Sequence, residues 1–357
     1  MELIVASELL AEDELTRAQD LARYFGQLAV QSRQSPDGWQ LTLSRPVTTS
    51  AFLDPELSEG LDWWTKTFTA IEVEDIFAAV YRDSTLQIAL EDSWTLYAWS
   101  SWLTRVSSDG QMPTCVTLLH LDEHDDLMTP RLVVVDEKWQ DVITGAAVDM
   151  RQPDSIAAAI RSGAISIGNF IAPLGHWLPE LHIRHLRQSP GATNDVVPRA
   201  LHATWHQDTL LAPGCARPAL ELGDTGLDII LPEQHTYKCA TNTADWLADL
   251  PPGPILLHID LDYFNNRYEG NPDWKLTTPD FNPQLSSVLV RIDEVFENLE
   301  AANIEQRIVD YTVAVSPGFF PASMWAAAAQ RVLAHIYRLR GTTFRPVNTD
   351  AISSSRS

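Results

Sequence analysis

Cysteine is scarce in this chain, and so is positive charge. Cys115, Cys215 and Cys239 stand far apart and form no Cys-x-x-Cys pair. That spacing indicates neither a disulfide framework nor a thiolate zinc site, and it fits a reducing compartment. Lys and Arg total 25 against 48 Asp and Glu, a net charge of −23, which argues against a nucleic-acid partner and suits a cationic substrate. The first residues carry no basic stretch ahead of an apolar core, and no later window reaches membrane-spanning length. A cytoplasmic protein without a membrane partner is therefore expected. No internal repeat is present, and low complexity is confined to the serine-rich end.

What is present suffices for a large core. With 357 residues, 45% of them hydrophobic, the chain can bury one sizeable α/β domain. An apolar stripe predicts a helix from an N-cap at Ser7 to about Gln31, and alternation predicts a strand over Trp39 to Val47. Ala51 to Tyr81 reads as helical; its Trp63 and Trp64 are placed in the core rather than on a peptide-binding surface.

From Ser84 onward strands alternate with helices. Strands are expected at Leu86 to Leu90, Cys115 to Leu119, Val133 to Val135, Leu181 to Leu186, Leu227 to Leu231, Pro254 to Asp260 and Ile308 to Val315. Helices are expected around Trp94 to Trp102, at Ile156 to Ser162, Gln284 to Leu299 and Ala322 to Leu339. The fold class is α/β: a parallel sheet flanked by helices in three layers, with a site at its carboxyl edge. Residues 1–84 form a helical N-terminal elaboration with a short strand, 85–345 the catalytic domain, and 346–357 a disordered tail.

Two strands end in acid. Leu118 to Leu127 climbs out of an apolar run and places Asp122, His124 and Asp126 at a period of two, on one side. Pro254 to Phe264 repeats the device with Asp260 and Asp262. Unpaired buried carboxylates are costly, and neither run contains a Lys or Arg to neutralise them. The set is richer in carboxylate than zinc usually chooses and suits manganese or magnesium, with two ions sharing carboxylates as the natural reading. Such a pair readies water for attack on carbon or phosphorus, so hydrolysis is the expected reaction. The alternative reading of these aspartates, as loop caps at strand ends, is the weaker one for five residues at this spacing.

These residues also carry a resemblance. Asp122-Glu-His124-Asp-Asp126 with Asp260-Leu-Asp262 resembles the Asp-x-His-x-Asp and Asp-x-Asp pair of the arginase, agmatinase and ureohydrolase superfamily. His120 to Leu127, Ile167 to Ile171 with Gly175-His176, and His258 to Phe264 resemble a divergent branch that includes peptide arginases of ribosomal-peptide pathways. The resemblance spans roughly Leu86 to Pro321 and implies an arginase-like domain holding two manganese ions. It implies that Asp122 and Asp260 bridge the ions, Asp126 completes one site, and His124 with Asp262 completes the other. Asp126 is thus counted among both the metal ligands and the catalytic groups. The implied reaction converts arginine in a precursor peptide to ornithine and releases urea.

Two departures from the family pattern stand out. Arginases take a further ligand from an upstream histidine, yet no histidine precedes His120. Ser93 stands at that place, after Glu91 and Asp92, so either one of the two acids supplies the ligand or the site there is altered. The late strand on which arginases carry a substrate-holding glutamate reads Thr312-Val-Ala-Val-Ser-Pro317, without a carboxylate. Glu91, Asp92 and Asp310 are the substrate-binding candidates, because a guanidinium pairs bidentately with a carboxylate.

The histidines divide by role. His120 and His258 share the ligand face and are read as outer hydrogen-bond donors or as core residues. His176 is a candidate proton shuttle, with a turn position as its other reading. His182, His185, His202, His206 and His235 are read as scattered surface and core residues. The alternatives to a two-metal hydrolase are a one-metal deacetylase-like amidohydrolase and a non-catalytic peptide-binding relative.

Overall fold

The structure, a computed structural model, describes residues 1–26, 28–44, 54–68, 78–188, 192–223, 234–271, 273–276 and 281–342. The expected strand at Leu227 to Leu231 and the tail from 346 lie outside the described residues.

The N-terminal region is a small sheet with one helix against it. β1 (Glu2–Val5), β2 (Ala29–Ser35) and β3 (Gly38–Ser44) pair antiparallel in the order β1-β3-β2. Between β1 and β2 lies α1 (Glu14–Phe25), capped by Asp13, whose Oδ2 accepts from the Thr16 amide at 2.8 Å. The expected helix from Ser7 to Gln31 is therefore corrected at both ends. It starts at the Asp13 cap and stops at Gly26, whose φ of 60° with ψ of −113° is backbone that glycine alone adopts readily. The expected helix over Ala51 to Tyr81 is likewise shorter. Among the described residues of that span the α-helix is α2 (Leu57–Thr67) and Val80 opens a strand, while residues 51–53 and 69–77 lie outside them.

Next come β4 (Val80–Asp83), β5 (Leu86–Ala89), α3 (Thr95–Ser108), β6 (Cys115–Leu121), β7 (Leu132–Val135), β8 (Lys138–Asp141), β9 (Ala147–Val148), α4 (Pro153–Ser162) and α5 (Ile171–Trp177). The remainder is β10 (Glu180–Leu186), β11 (Arg199–Gln207), β12 (Ala216–Leu222), β13 (Thr236–Ala240), α6 (Thr243–Leu247), β14 (Ile255–Asp260), α7 (Leu285–Ala301), β15 (Ile308–Ala314) and α8 (Ala322–Leu339).

Among the described residues nine strands form the central sheet, in the order β12-β11-β13-β10-β6-β14-β15-β5-β4. The run from β13 to β5 is parallel, and antiparallel pairings close both edges. β4 joins this sheet, so pairing crosses the expected boundary at residue 84. Val133 to Val135 is a strand as read, but in a separate three-stranded sheet, β7-β8-β9.

Alternation along the central strands builds two cores. On β6, Val116 and Leu118 pack with α3, α4 and α5, while Leu119 and Leu121 pack with α7 and α8. β14 repeats this, Leu256 on the first face and Ile255, Leu257 and Ile259 on the second. The result is three layers, helix on sheet on helix. His120, Asp122, His258 and Asp260 share the parity of Val116 and Leu256, so they fall on the α3–α5 face.

The N-terminal region is tied into this frame. Gly60 of α2 lies so near α8 that a Cβ there would stand 2.3 Å from Trp325. Asp54 accepts from the Ala322 amide at 2.6 Å, which caps α8. No helix among the described residues is long and apolar enough to cross a membrane.

Candidate metal centre

The site lies where β6, β14, β15 and β5 end, at the carboxyl edge of adjacent parallel strands. Asp122 follows β6, Asp260 closes β14, Ser316 follows β15, and Glu91 and Asp92 follow β5. Edge convergence of this kind is intrinsic to parallel sheets, whose strands all point one way.

Asp92, Asp122, Asp126, Asp260 and Asp262 are all buried, none more than 5% exposed. Among the described residues their ion pairs are with histidine alone. His124 Nδ1 stands 3.0 Å from Asp262 Oδ2 and 3.5 Å from Asp122 Oδ1. His120 Nε2 is 3.8 Å from Asp122 Oδ2 and 3.6 Å from Asp126 Oδ2. One oxygen each of Asp92, Asp122 and Asp126 has no hydrogen-bond partner.

Crowding raises every one of the affinities for protons that can be assigned. Burial, then Glu91 and Asp262, push Asp92 up to about 8. Burial, then Asp262 and Asp260, hold Asp122 well above the usual carboxylate range. Asp126 rises through burial, Asp122 and Asp92, and Asp260 through burial, Asp262 and Asp92. Burial works against a charged His124, yet Asp262, Asp122 and Glu269 outweigh it and raise its pKa. Like charges gathered out of water require protons or a cation.

The geometry fits a cation. Asp122, His124 and Asp262 each offer a ligand atom within 4.8 Å of the others, and His120, Asp122 and His258 do the same. These buried Asp and His groups could hold a metal ion, and Asp122 belongs to both sets.

Backbone grips hold the loop in place. The His120 Nε2–H donates to the His124 carbonyl at 2.9 Å, because a carbonyl only accepts. Burial and the neighbouring His185 and His258 keep the His120 ring neutral, so its Nδ1 accepts from His258 Nδ1 at 2.9 Å. His185 acts similarly: its Nε2–H donates to the Asp122 carbonyl at 2.9 Å, and its Nδ1 accepts from the Tyr237 hydroxyl at 2.6 Å. Asp126 and Ser316 take φ values of 54°, uncommon for residues with a side chain and concentrated at functional sites.

The expected residues fall into two groups. Asp122, His124, Asp126, Asp260 and Asp262 lie together, but strand alternation carries only Asp122 and Asp260: β6 ends at Leu121 and a 3-10 turn begins at Leu261, so loop and turn geometry brings in His124, Asp126 and Asp262, and Asp92 joins them. Glu91 adjoins them, accepting from the buried Ser93 hydroxyl at 3.4 Å. His176 does not join. Its Nε2 bonds the Ala219 carbonyl at 2.9 Å and its ring lies against Trp205, at the far end of α5. The shuttle assignment is corrected accordingly.

Asp310 is corrected too. It sits near the amino end of β15, opposite Leu256, and its Oδ2 is 2.8 Å from Arg82 and 3.4 Å from Arg105. The chain's own guanidinium groups occupy it.

Three partners went unread in the sequence. The Ser316 hydroxyl donates to Asp260 Oδ2 at 2.5 Å. Glu269 Oε1 lies 3.3 Å from His124 Nε2, and its other oxygen accepts from Asn266. His185 props Asp122. The one available signal for Ser316 was its place just past a strand end; Glu269, in a loop, gave none.

Neither a scan against models of protein families nor a search of curated proteins returns a match to this chain.

Proposed function

We propose that the chain is a binuclear manganese hydrolase that converts arginine side chains of a peptide to ornithine and releases urea. The observation that carries the reading is the burial of five aspartates at one sheet edge, with no Lys or Arg partner among the described residues, around the metal-capable set of Asp122, His124 and Asp262. The choice of arginine rests on the resemblance of the two acidic motifs to the ureohydrolase pattern.

Asp122, Asp126, Asp260, Asp262 and His124 would hold the metal, with Asp92 in the place that Ser93 cannot fill. Divalent ions at such a site supply Lewis acidity and bring the pKa of water towards neutrality. The chain's residues do the positioning. His120 and His185 fix the backbone of the ligand loop, the Ser316 hydroxyl orients Asp260, and Glu269 orients the His124 ring. In the reaction the oxygen of water bonds to the guanidinium carbon, the bond from that carbon to Nε breaks, and Nε takes up a proton to leave as the ornithine amine. Asp310 lies near the amino end of β15, away from the carboxylates, whereas Glu91 adjoins them and is the substrate-binding candidate there.

A second reading, a one-metal amidohydrolase, is favoured by the compact set of Asp122, His124 and Asp262, which is complete without Ser93.

Mass spectrometry of arginine-containing peptides incubated with protein and manganese tests the first reading, with free arginine alongside. Removal of the urea skeleton lowers the mass by about 42 Da per converted arginine. Bound manganese with no change in mass of any arginine substrate refutes the arginase reading.

A further inference from the structure

The amino-terminal edge of the same sheet carries a different donor set. Cys115 opens β6 and stands opposite Glu180, the first residue of β10. His182 lies two residues further along β10, on the same face as Glu180. The Cys115 thiol, a Glu180 oxygen and a His182 nitrogen lie within 4.8 Å of one another. Ligand atoms around a tetrahedral zinc stand about 3.3–3.8 Å apart, so only small side-chain movements separate this arrangement from a coordination shell.

Supporting contacts are already in place. The His182 Nδ1 is 2.7 Å from the Thr236 hydroxyl, which turns Nε2 towards Glu180 Oε1, also at 2.7 Å. A ring nitrogen held by an outer oxygen while the other faces the ligands is how metal-binding histidines are fixed. Cys115 donates to the Pro252 carbonyl at 3.3 Å, and it is half-buried, which leaves the thiol reachable.

We propose that Cys115, Glu180 and His182 form a three-ligand site for zinc, or for another divalent ion that accepts sulfur, distinct from the carboxylate centre. One thiolate, one imidazole and one carboxylate match the preference of zinc, whereas the all-oxygen and imidazole set at the other edge matches harder ions. On binding, the thiol proton passes to solvent and a Cys115 sulfur–metal bond forms, with no change of oxidation state. Seven residue steps separate Cys115 from Asp122, a distance of roughly 23 Å along an extended strand. The ion would clamp β6 to β10 where the strands begin. Cysteine spacing in the sequence does not reveal this set, because Cys115 meets its partners only through parallel strand pairing.

Cobalt(II), titrated into the full-length protein, tests the site. Thiolate ligation gives cobalt a near-ultraviolet charge-transfer band that carboxylate and imidazole ligands do not give. With the carboxylate centre already supplied with manganese, the wild type should develop the band on addition of cobalt and lose it on addition of zinc. Asp122→Ala should keep the band, Cys115→Ser should abolish it, and His182→Gln should weaken cobalt affinity at least tenfold. Absence of the band in the wild type, its survival in Cys115→Ser, unchanged affinity in His182→Gln or its loss in Asp122→Ala would overturn the proposal.

Discussion

His124 Nδ1 lies 3.0 Å from Asp262 Oδ2, joining the ends of β6 and β14, which the sequence separates by most of the domain. With Asp122 and Asp260 on the same face, the contact gathers buried negative charge that no Lys or Arg among the described residues pairs with.

Removing one of these charges should stabilise the metal-free protein. Asp122→Asn relieves repulsion from Asp262 and Asp260, and its melting temperature without metal should rise by about 2 °C. With manganese present the order should reverse, because the variant loses a carboxylate ligand of the set that Asp122 forms with His124 and Asp262. A lower melting temperature for metal-free Asp122→Asn would show that Asp122 stabilises the apo fold.

The pH dependence of metal-free stability follows from the same repulsion. Asp92 is raised to about 8, and Asp122, Asp126 and Asp260 lie well above their unfolded values. Folded carboxylates then hold more protons than unfolded ones, and stability falls as pH rises towards 8. His120, His258 and His185 have lowered pKa values, the last two about 3 and about 4, and act in the opposite direction below about 6.5. Between pH 6.5 and 8 the carboxylates act alone among these groups, joined by the raised His124. Thermal melts in chelator should therefore show a falling midpoint across that window, and a flat or rising one would contradict the charge assignment.

The outer histidines should matter through the metal. His120→Phe keeps the volume of the ring but drops its bonds to the His124 carbonyl and to His258. Manganese affinity should fall about 10–100-fold, as for other residues that orient ligands. Isothermal titration reads this directly, and unchanged affinity would reduce His120 to a packing residue.

Glu269 separates charge from hydrogen bonding. Glu269→Ala should weaken manganese binding by about tenfold, while Glu269→Gln, which still accepts from His124 Nε2, should lose less. Equal losses would mean that the charge alone matters.

His176→Ala serves as the contrast. Because its imidazole bonds Ala219 away from the carboxylates, manganese affinity and turnover should stay within about twofold, with a stability loss of about 1 kcal/mol for the hydrogen bond. A collapse in turnover would restore the shuttle assignment.

The sequence made the site legible where strand parity decides it. Alternation alone placed Asp122, Asp260, His120 and His258 on one face, and Ala322–Leu339 has the helix bounds that its apolar periodicity predicted. It failed where tertiary contact decides. Ser7 to about Gln31 read as one helix because Leu9, Leu21 and Leu28 share a stripe, while pairing of β1 and β2 with β3 leaves no local mark. Asp310 looked available until Arg82 and Arg105 reached it from other elements. Glu269 and His185 bind site atoms contributed by distant strands, and no local pattern announces such contacts.

The most direct test is the manganese stoichiometry of the purified protein, measured by metal analysis after equilibrium dialysis, with Asp122→Ala beside it. Two ions per chain, lost together in the variant, is the predicted result. A single ion would favour the one-metal reading built on Asp122, His124 and Asp262. No bound manganese in the wild type would contradict the metal centre itself.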